Sequence, residues 1–193
     1  MRDLVIVFAR APRPGTVKRR LAREIGDRAA LRFHTAMLTG LLRRLGRDRR
    51  WRTMLALTPD RAFIRAPNGV QVVPQGHGDL GLRMARALAR GRRAVLVGCD
   101  IPGIAASDIA AAFRALASAD AVFGPAEDGG YWLVGFGPRR TDRPFAAVRW
   151  SGPHALADTL RNFRRRRTAL VRKLRDVDTL DDLIATGALP CAF

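Results

Sequence analysis

Two stretches of this chain, "DLVIVFA" (residues 3–9) and "RAVLVGCD" (93–100), are near-continuous apolar runs of β-favouring residues that stop abruptly in loops. A strand that alternates apolar and polar residues can leave one face in water. A strand that is apolar at every position must be covered on both faces, which is the signature of a mostly parallel sheet between two layers of helix. The rest of the chain supplies both kinds of element. "RTMLALT" (52–58), "GVQVVPQ" (69–75), "ADAVFGP" (119–125), the alternating "GYWLVGF" (130–136) and the late "TALVRKL" (168–174) read as further strands. Helical patterns lie between them: 17–26, 27–46, 80–91, 107–118, 152–167 and 178–189. The spacing places Lys18 in the first helical turn and Gly26 at that helix's end, and makes Asp27 and Ser107 the N-caps of their helices. Strands alternating with helices predict an α/β fold, an open sheet with helices on both faces.

The 193 residues carry no linker, repeat or low-complexity stretch, so one domain over residues 1–193 is expected. The opening apolar run is too short for a signal peptide and no stretch is long enough to span a membrane, so no membrane partner is expected. Cys99 and Cys191 match neither a disulfide framework nor a zinc motif, and a reducing, cytoplasmic setting follows. The net charge is +18, from 33 arginines and the two lysines Lys18 and Lys173. A nucleic-acid-binding protein is one reading of that charge. The arginines are scattered over the chain, with the densest runs at helix ends (41–52 and 161–167), which argues for a solvated basic surface instead. Such a field would still draw in an anionic small molecule. Oligomeric state is left open.

Ligands of open α/β sheets bind beyond the carboxyl ends of the strands. Loops 10–16, 75–81, 98–103 and 125–130 leave strand ends and should therefore meet. "RAPRPGTVKRRL" lacks the P-loop spacing, yet it joins a buried strand to a helix N-terminus, where free N–H groups favour anions. Gly15 permits close approach, and Arg10, Lys18 and Arg20 add positive charge. "GHGDLG" (76–81) is formally a dinucleotide fingerprint and keeps an NAD-linked oxidoreductase as a rival. It sits after a lengthened turn, however, and not in the first βαβ unit. His77 there has no partner at metal spacing. In "GCDIPG", Asp100 either caps a turn or holds a hard cation, which takes carboxylate oxygens together with substrate phosphates. A second carboxylate would come from Glu127, Asp128, Asp176 or Asp178, the last of which could equally cap the final helix, as could Thr179. In "EDGGYW", Gly129 and Gly130 suit a tight backbone approach, and Tyr131 and Trp132 should face opposite sides of the sheet.

Taken as an ordered set, "FARAPRPGTVKRRLA", "QGHGDLGLRM", "GCDIPG", "PAEDGGYWLVG", "VRWSG" and "DVDTLDDL" resemble the DUF2064 family of rSAM/selenodomain-associated and arsenosugar-biosynthesis glycosyltransferases. That family is similar to 2-phospholactate guanylyltransferases and other nucleotide-diphospho-sugar transferases of GT-A type. The resemblance implies a Rossmann-like GT-A domain acting on a nucleotide or nucleotide-sugar donor and a small-molecule acceptor, with Mg²⁺ or Mn²⁺. It implies nucleotide contacts from Arg10, Gly15, Lys18 and Arg20, and from Gly78, Asp79 and Gly81 of the "GDLG" loop. Family members often carry Lys in place of Arg10, Thr in place of Arg19 and Ser in place of Cys99. Asp100 matches the metal aspartate, and Asp176 and Asp178 the second metal segment, without a choice between them. Glu127, Asp128, Gly129, Gly130, Tyr131 and Trp150 would shape the acceptor side. Asp128 is the candidate general base, and Lys18 would share the charge of a leaving diphosphate. Glycosyl transfer is the expected reaction; nucleotidyl transfer with release of pyrophosphate is the alternative.

Overall fold

The computed structural model describes residues 2–187; Cys191 and the end of the expected last helix lie outside them. Seven strands form one sheet: β1 (Asp3–Arg10), β2 (Trp51–Thr58), β3 (Val70–Pro74), β4 (Ala94–Gly98), β5 (Ala121–Pro125), β6 (Tyr131–Phe136) and β7 (Thr168–Leu170), in the order β3-β2-β1-β4-β6-β5-β7. All pairings are parallel except those of β6, which runs antiparallel to both β4 and β5. Because β6 is reversed between them, β5 runs in the same direction as β4. Their carboxyl ends therefore share one edge with those of β1 and β2.

The two-sided burial read from the apolar runs is what the layers show. Val5, Val7 and Ala9 of β1 pack on one face with Leu38, Leu41 and Leu45 of α2 (Asp27–Gly46) and Ile109 and Phe113 of α4 (Ala106–Ala115). Leu4 and Ile6 pack on the other with Met84 and Leu88 of α3 (Leu80–Leu88), while Leu156 and Leu160 of α5 (Ala155–Arg161) close that layer. A third, smaller cluster joins Leu21 of α1 (Arg19–Ile25), Phe33 of α2, Val177, and Leu183 of α6 (Leu180–Ala185). Tyr131 and Trp132 do part to opposite faces, Tyr131 against the second layer and Trp132 within the first.

Helix starts differ from the expected ones for local reasons. Asp27 is the first residue of α2, behind Gly26, whose φ of 84° suits a glycine. Ser107 lies inside α4; the Ala105 N–H that opens that helix is taken 2.7 Å away by the Asp108 carboxylate. Thr179, not Asp178, caps α6, in a reciprocal box with Asp182. Lys18 is not in the first turn of α1. It precedes the helix in a left-handed conformation, φ 48°, which a non-glycine residue holds only at a cost.

Candidate active site

The four strand-end loops meet in one cleft with two lobes, of about 430 and 230 Å³. Leu80, Asp100, Trp150 and Ser151 line both. Arg10 and Thr16 enter the larger lobe from the loop after β1, and Gln75 from the loop after β3. Ala126, Asp128 and Gly130 enter the smaller lobe from the loop after β5.

Asp100 stands at the carboxyl end of β4, between the lobes. Its inner oxygen, Oδ1, lies 3.1 Å from the Lys18 ammonium and 3.7 Å from His34 Nδ1. Burial would raise its pKa, but the His34 ring and the Lys18 charge outweigh that and hold it at about 2. The carboxyl therefore stays ionised at neutral pH, and it caps no helix, since α4 is opened by Asp108. Lys18 Nζ makes two further contacts, to Val177 O at 2.6 Å and Asp178 Oδ1 at 3.1 Å. Its side chain is only 3% exposed. Burial alone would lower the lysine's pKa; Asp100 and Asp178 raise it instead. Lys18 thus joins the first loop, the end of β4 and the segment before α6.

Of the two aspartates left open by the sequence, the structure separates the surroundings. Asp178 is spent on Lys18, with Arg20 3.9 Å away on its other oxygen. Asp176 lines the smaller lobe, and its pKa is raised by burial and by the neighbouring charges of Asp128 and Asp178. Asp128 also lines that lobe, its Oδ1 accepting the Gly130 N–H at 2.8 Å in a tight turn. That turn explains Gly129: φ is +85°, and a Cβ there would sit 2.4 Å from the Pro153 carbonyl oxygen.

Other expected residues stand outside the cleft lining. Gly15 is an exposed turn glycine with φ 68°, and the Arg20 side chain is 75% exposed. In the "GDLG" loop, Asp79 caps α3 by accepting the Leu82 N–H at 2.7 Å, Gly78 lies under Leu82, and Gly81 packs on Phe145 and Trp150. Glu127 turns to Arg175, 2.6 Å away. These contacts give the loop a packing role and place Asp79 and Gly81 beside a separate surface groove.

Three cleft residues escaped the sequence reading. His34 was hidden as one more position of α2; its Nε2 bonds Arg10 O at 3.0 Å. The signal was a lone histidine next to Phe33 on the helix's buried side. Gln75 donates to the carbonyls of Ala9 and Ala56, both at 3.0 Å, and ties β1 to β2. Arg83 reaches Gln75 Oε1 at 3.2 Å from α3. Ser151, with φ 62°, also lines the cleft, so two of the three non-glycine residues with positive φ are at this site, where backbone strain tends to gather.

His34, Cys99 and Asp100 offer ligand atoms within 4.8 Å of one another, close enough for one ion. The buried Cys99 thiol is pushed well up in pKa by desolvation and by Asp100. The carboxyl oxygens of Asp100 and Asp176, in one lobe, are of the kind a hard divalent cation takes.

A Desulfovibrio desulfuricans protein provisionally assigned as a nucleotide-diphospho-sugar transferase superposes on the whole chain and 90% of its own length, with TM-score 0.89 and 27% identity. The Thermus thermophilus 2-C-methyl-D-erythritol 4-phosphate cytidylyltransferase shares the fold at TM-score 0.60 and 17% identity, over 98% of each chain. Rv0371c of Mycobacterium tuberculosis, in complex with manganese, does so at TM-score 0.55 and 21% identity, over 98% of this chain and all of its own. No curated protein matches the chain. Residues 41–152, more than half of the chain, match the family described as "Uncharacterized protein conserved in bacteria (DUF2064)". With that match and this Rossmann-like sheet, the chain belongs to the DUF2064 family, within the GT-A-like nucleotide-diphospho-sugar transferase superfamily.

Proposed function

We propose that this protein is a metal-dependent glycosyltransferase, working as one domain, that takes a nucleotide-sugar donor in the larger lobe and a small acceptor in the smaller one. The observation that carries the reading is the position of Asp100, at the end of a central strand and shared by a lobe with cations and a lobe with carboxylates. Among the described residues, Arg10 and Arg83 line the larger lobe without a carboxylate partner, Arg83 held by Gln75 Oε1 and Asp79 O, and their charges are available to a diphosphate. Lys18 has its charge on Asp100 and Asp178, so it serves as a positioning residue that keeps Asp100 ionised and aimed. Asp100 and Asp176 would hold Mg²⁺ or Mn²⁺, which supplies neutralisation of the departing diphosphate.

In the reaction the acceptor hydroxyl oxygen bonds to the anomeric carbon. The bond from that carbon to the diphosphate oxygen breaks, and its electron pair leaves with the diphosphate. Asp128 takes the hydroxyl proton on Oδ2, the oxygen not bound to Gly130. Nucleotidyl transfer, the chemistry in the cytidylyltransferase's name, uses the same two lobes and breaks a Pα–O bond instead.

Calorimetry of nucleoside diphosphates and nucleotide sugars with and without Mn²⁺ tests the donor lobe, and product analysis separates the reactions. Free nucleoside diphosphate is expected; pyrophosphate would assign nucleotidyl transfer, and absence of any nucleotide binding would reject both.

A further inference from the structure

The smaller lobe has a charge at odds with the rest of the protein. The chain has 35 basic residues to 17 acidic, so an average patch of its surface would carry two cations per anion. Among the described residues lining this lobe there is no arginine, lysine or histidine, and there are three aspartates, Asp100, Asp128 and Asp176. The nearby cations are turned elsewhere. Arg175 binds Glu127 at 2.6 Å, Arg172 binds Asp108 at 2.5 Å, Arg149 binds Asp158 at 2.8 Å, and Lys18 lies behind Asp100. Apart from the Ser151 hydroxyl and the glycine backbone, the remaining wall is aromatic and apolar: Tyr131 and Trp150 meet edge to face with centroids 6.5 Å apart, beside Met84 and Ile101. Burial raises the Tyr131 pKa and outweighs the weak Thr159 contact, which lowers it, so Tyr131 is a neutral phenol.

Resting on the transferase reading of the cleft, we infer that the acceptor is a small polyhydroxylated or amino-bearing molecule without a phosphate or carboxylate group. A phosphomonoester brings a charge of about −1.5 to −2 at neutral pH. A divalent ion on Asp100 and Asp176 would be matched by the donor's own diphosphate, so it leaves nothing positive for a second anion. An acceptor phosphate would face Asp128 and two aromatic rings with no cationic side chain to pair with it, and like-charge juxtaposition of that kind is strongly unfavourable. An uncharged sugar ring can lay its C–H face on Trp150 and give a hydroxyl to Asp128. An ammonium group gains from Asp128 and from the ring faces together. This lobe therefore differs in kind from a site that must grip an acceptor phosphate, the acceptor named for the cytidylyltransferase of the same fold.

Trp51 and Trp132 are buried, 4% and 3% exposed, and Trp150 is half-buried; Trp132 and Trp150 both line the smaller lobe, so tryptophan fluorescence reports on it. The test is an equilibrium titration at constant ionic strength with two probes on one scaffold, glucosamine and glucose 6-phosphate, on an Arg10→Ala, Arg83→Ala variant that removes those cations of the larger lobe, with and without Asp128→Asn. Glucosamine should bind at least about tenfold more tightly, and Asp128→Asn should remove most of that preference. Equal or tighter binding of glucose 6-phosphate, or no tryptophan response to either sugar, would each overturn the inference. None of these readings needs a nucleotide, so failure of nucleotide binding, measured separately, would reject the donor assignment and not this one.

Discussion

Replacing Lys18 by methionine keeps the apolar stem of the side chain and removes the ammonium, with its charge and its hydrogen bonds. The ammonium touches Asp100 Oδ1 and Asp178 Oδ1, each at 3.1 Å, so the two oxygens are no further apart than twice that distance. At ~6 Å and an effective dielectric of about 20, two uncompensated carboxylates repel by about 3 kcal/mol. Both are close to half-exposed, 46% and 45%, and solvent screening brings this down to about 1–2 kcal/mol. Loss of the charged hydrogen bond to Val177 O adds about 1 kcal/mol. The expected destabilisation is about 2–3 kcal/mol at pH 7, read from urea unfolding midpoints. It should depend on pH with a definite sign. Asp100 has a folded pKa of about 2, below the unfolded value near 3.9, so its contribution is complete above ~4 and fades as pH falls towards 2. Lys18 has a raised pKa, so its contribution is complete below the ordinary lysine value and fades only when pH rises through the folded one. The gap between wild type and variant should be widest between these limits and narrow at both ends. A gap under about 0.5 kcal/mol at pH 7, the size of an ordinary surface change, or one that persists undiminished in acid, would refute the reasoning.

Asp100→Asn should abolish Mn²⁺-dependent nucleotide binding in calorimetry and slow transfer by roughly 10²-fold, since the amide keeps the shape and loses the charge; full retention of Mn²⁺-dependent affinity would remove Asp100 from the metal. For Asp176→Asn the folded protein should become more stable. Its pKa is raised by burial and by Asp128 and Asp178, so ionisation above the unfolded value near 3.9 costs folding free energy that the amide avoids, and the gain should vanish below that pH; equal melting temperatures at pH 7 would count against it. Gly129→Ala should cost about 2–4 kcal/mol in denaturant unfolding, from the positive φ together with the clash on Pro153, and a loss within ~0.5 kcal/mol would show that the turn is not held as described.

What the sequence made legible was whatever depends on near neighbours. Apolar runs such as "RAVLV" fixed which strands are buried on both faces, and parallel direction then brought Arg10, Gln75, Asp100 and Asp128 to one edge. Capping was misread at Asp27 and Ser107 because a polar residue just before a helical pattern is only a statistical sign of the cap. Asp108, three residues beyond Ala105, satisfied the free N–H in place of Ser107. The lysine's role was out of reach for a different reason. Residue 18 and residue 178 meet only after the chain has built the whole sheet between them, and no spacing rule spans such a separation. The "GDLG" glycines also have packing partners that no local pattern reveals: Gly78 lies against Leu82, and Gly81 lets α3 close on Phe145 and Trp150.

The same geometry accounts for a lysine in a chain that otherwise uses arginine 33 times and lysine once more, at Lys173. Three acceptors converge on one nitrogen: Asp100 Oδ1, Asp178 Oδ1 and the Val177 carbonyl. An ammonium has three donors that rotate to meet such a set, whereas a guanidinium is a planar fork whose five N–H groups need acceptors spread over a wider front. In a pocket where the side chain is 3% exposed, the surplus donors of an arginine would be buried without partners. The compact charge also has a consequence for the cleft. Val177 N–H binds Asp100 O at 3.1 Å while Val177 O receives Lys18, so the segment that follows β7 is fastened over the end of β4 from both sides. That fastening carries Asp176, one residue earlier, into the smaller lobe beside Asp128. The cation that stabilises the joint stays behind Asp100, and the lobe in front of it keeps its negative charge.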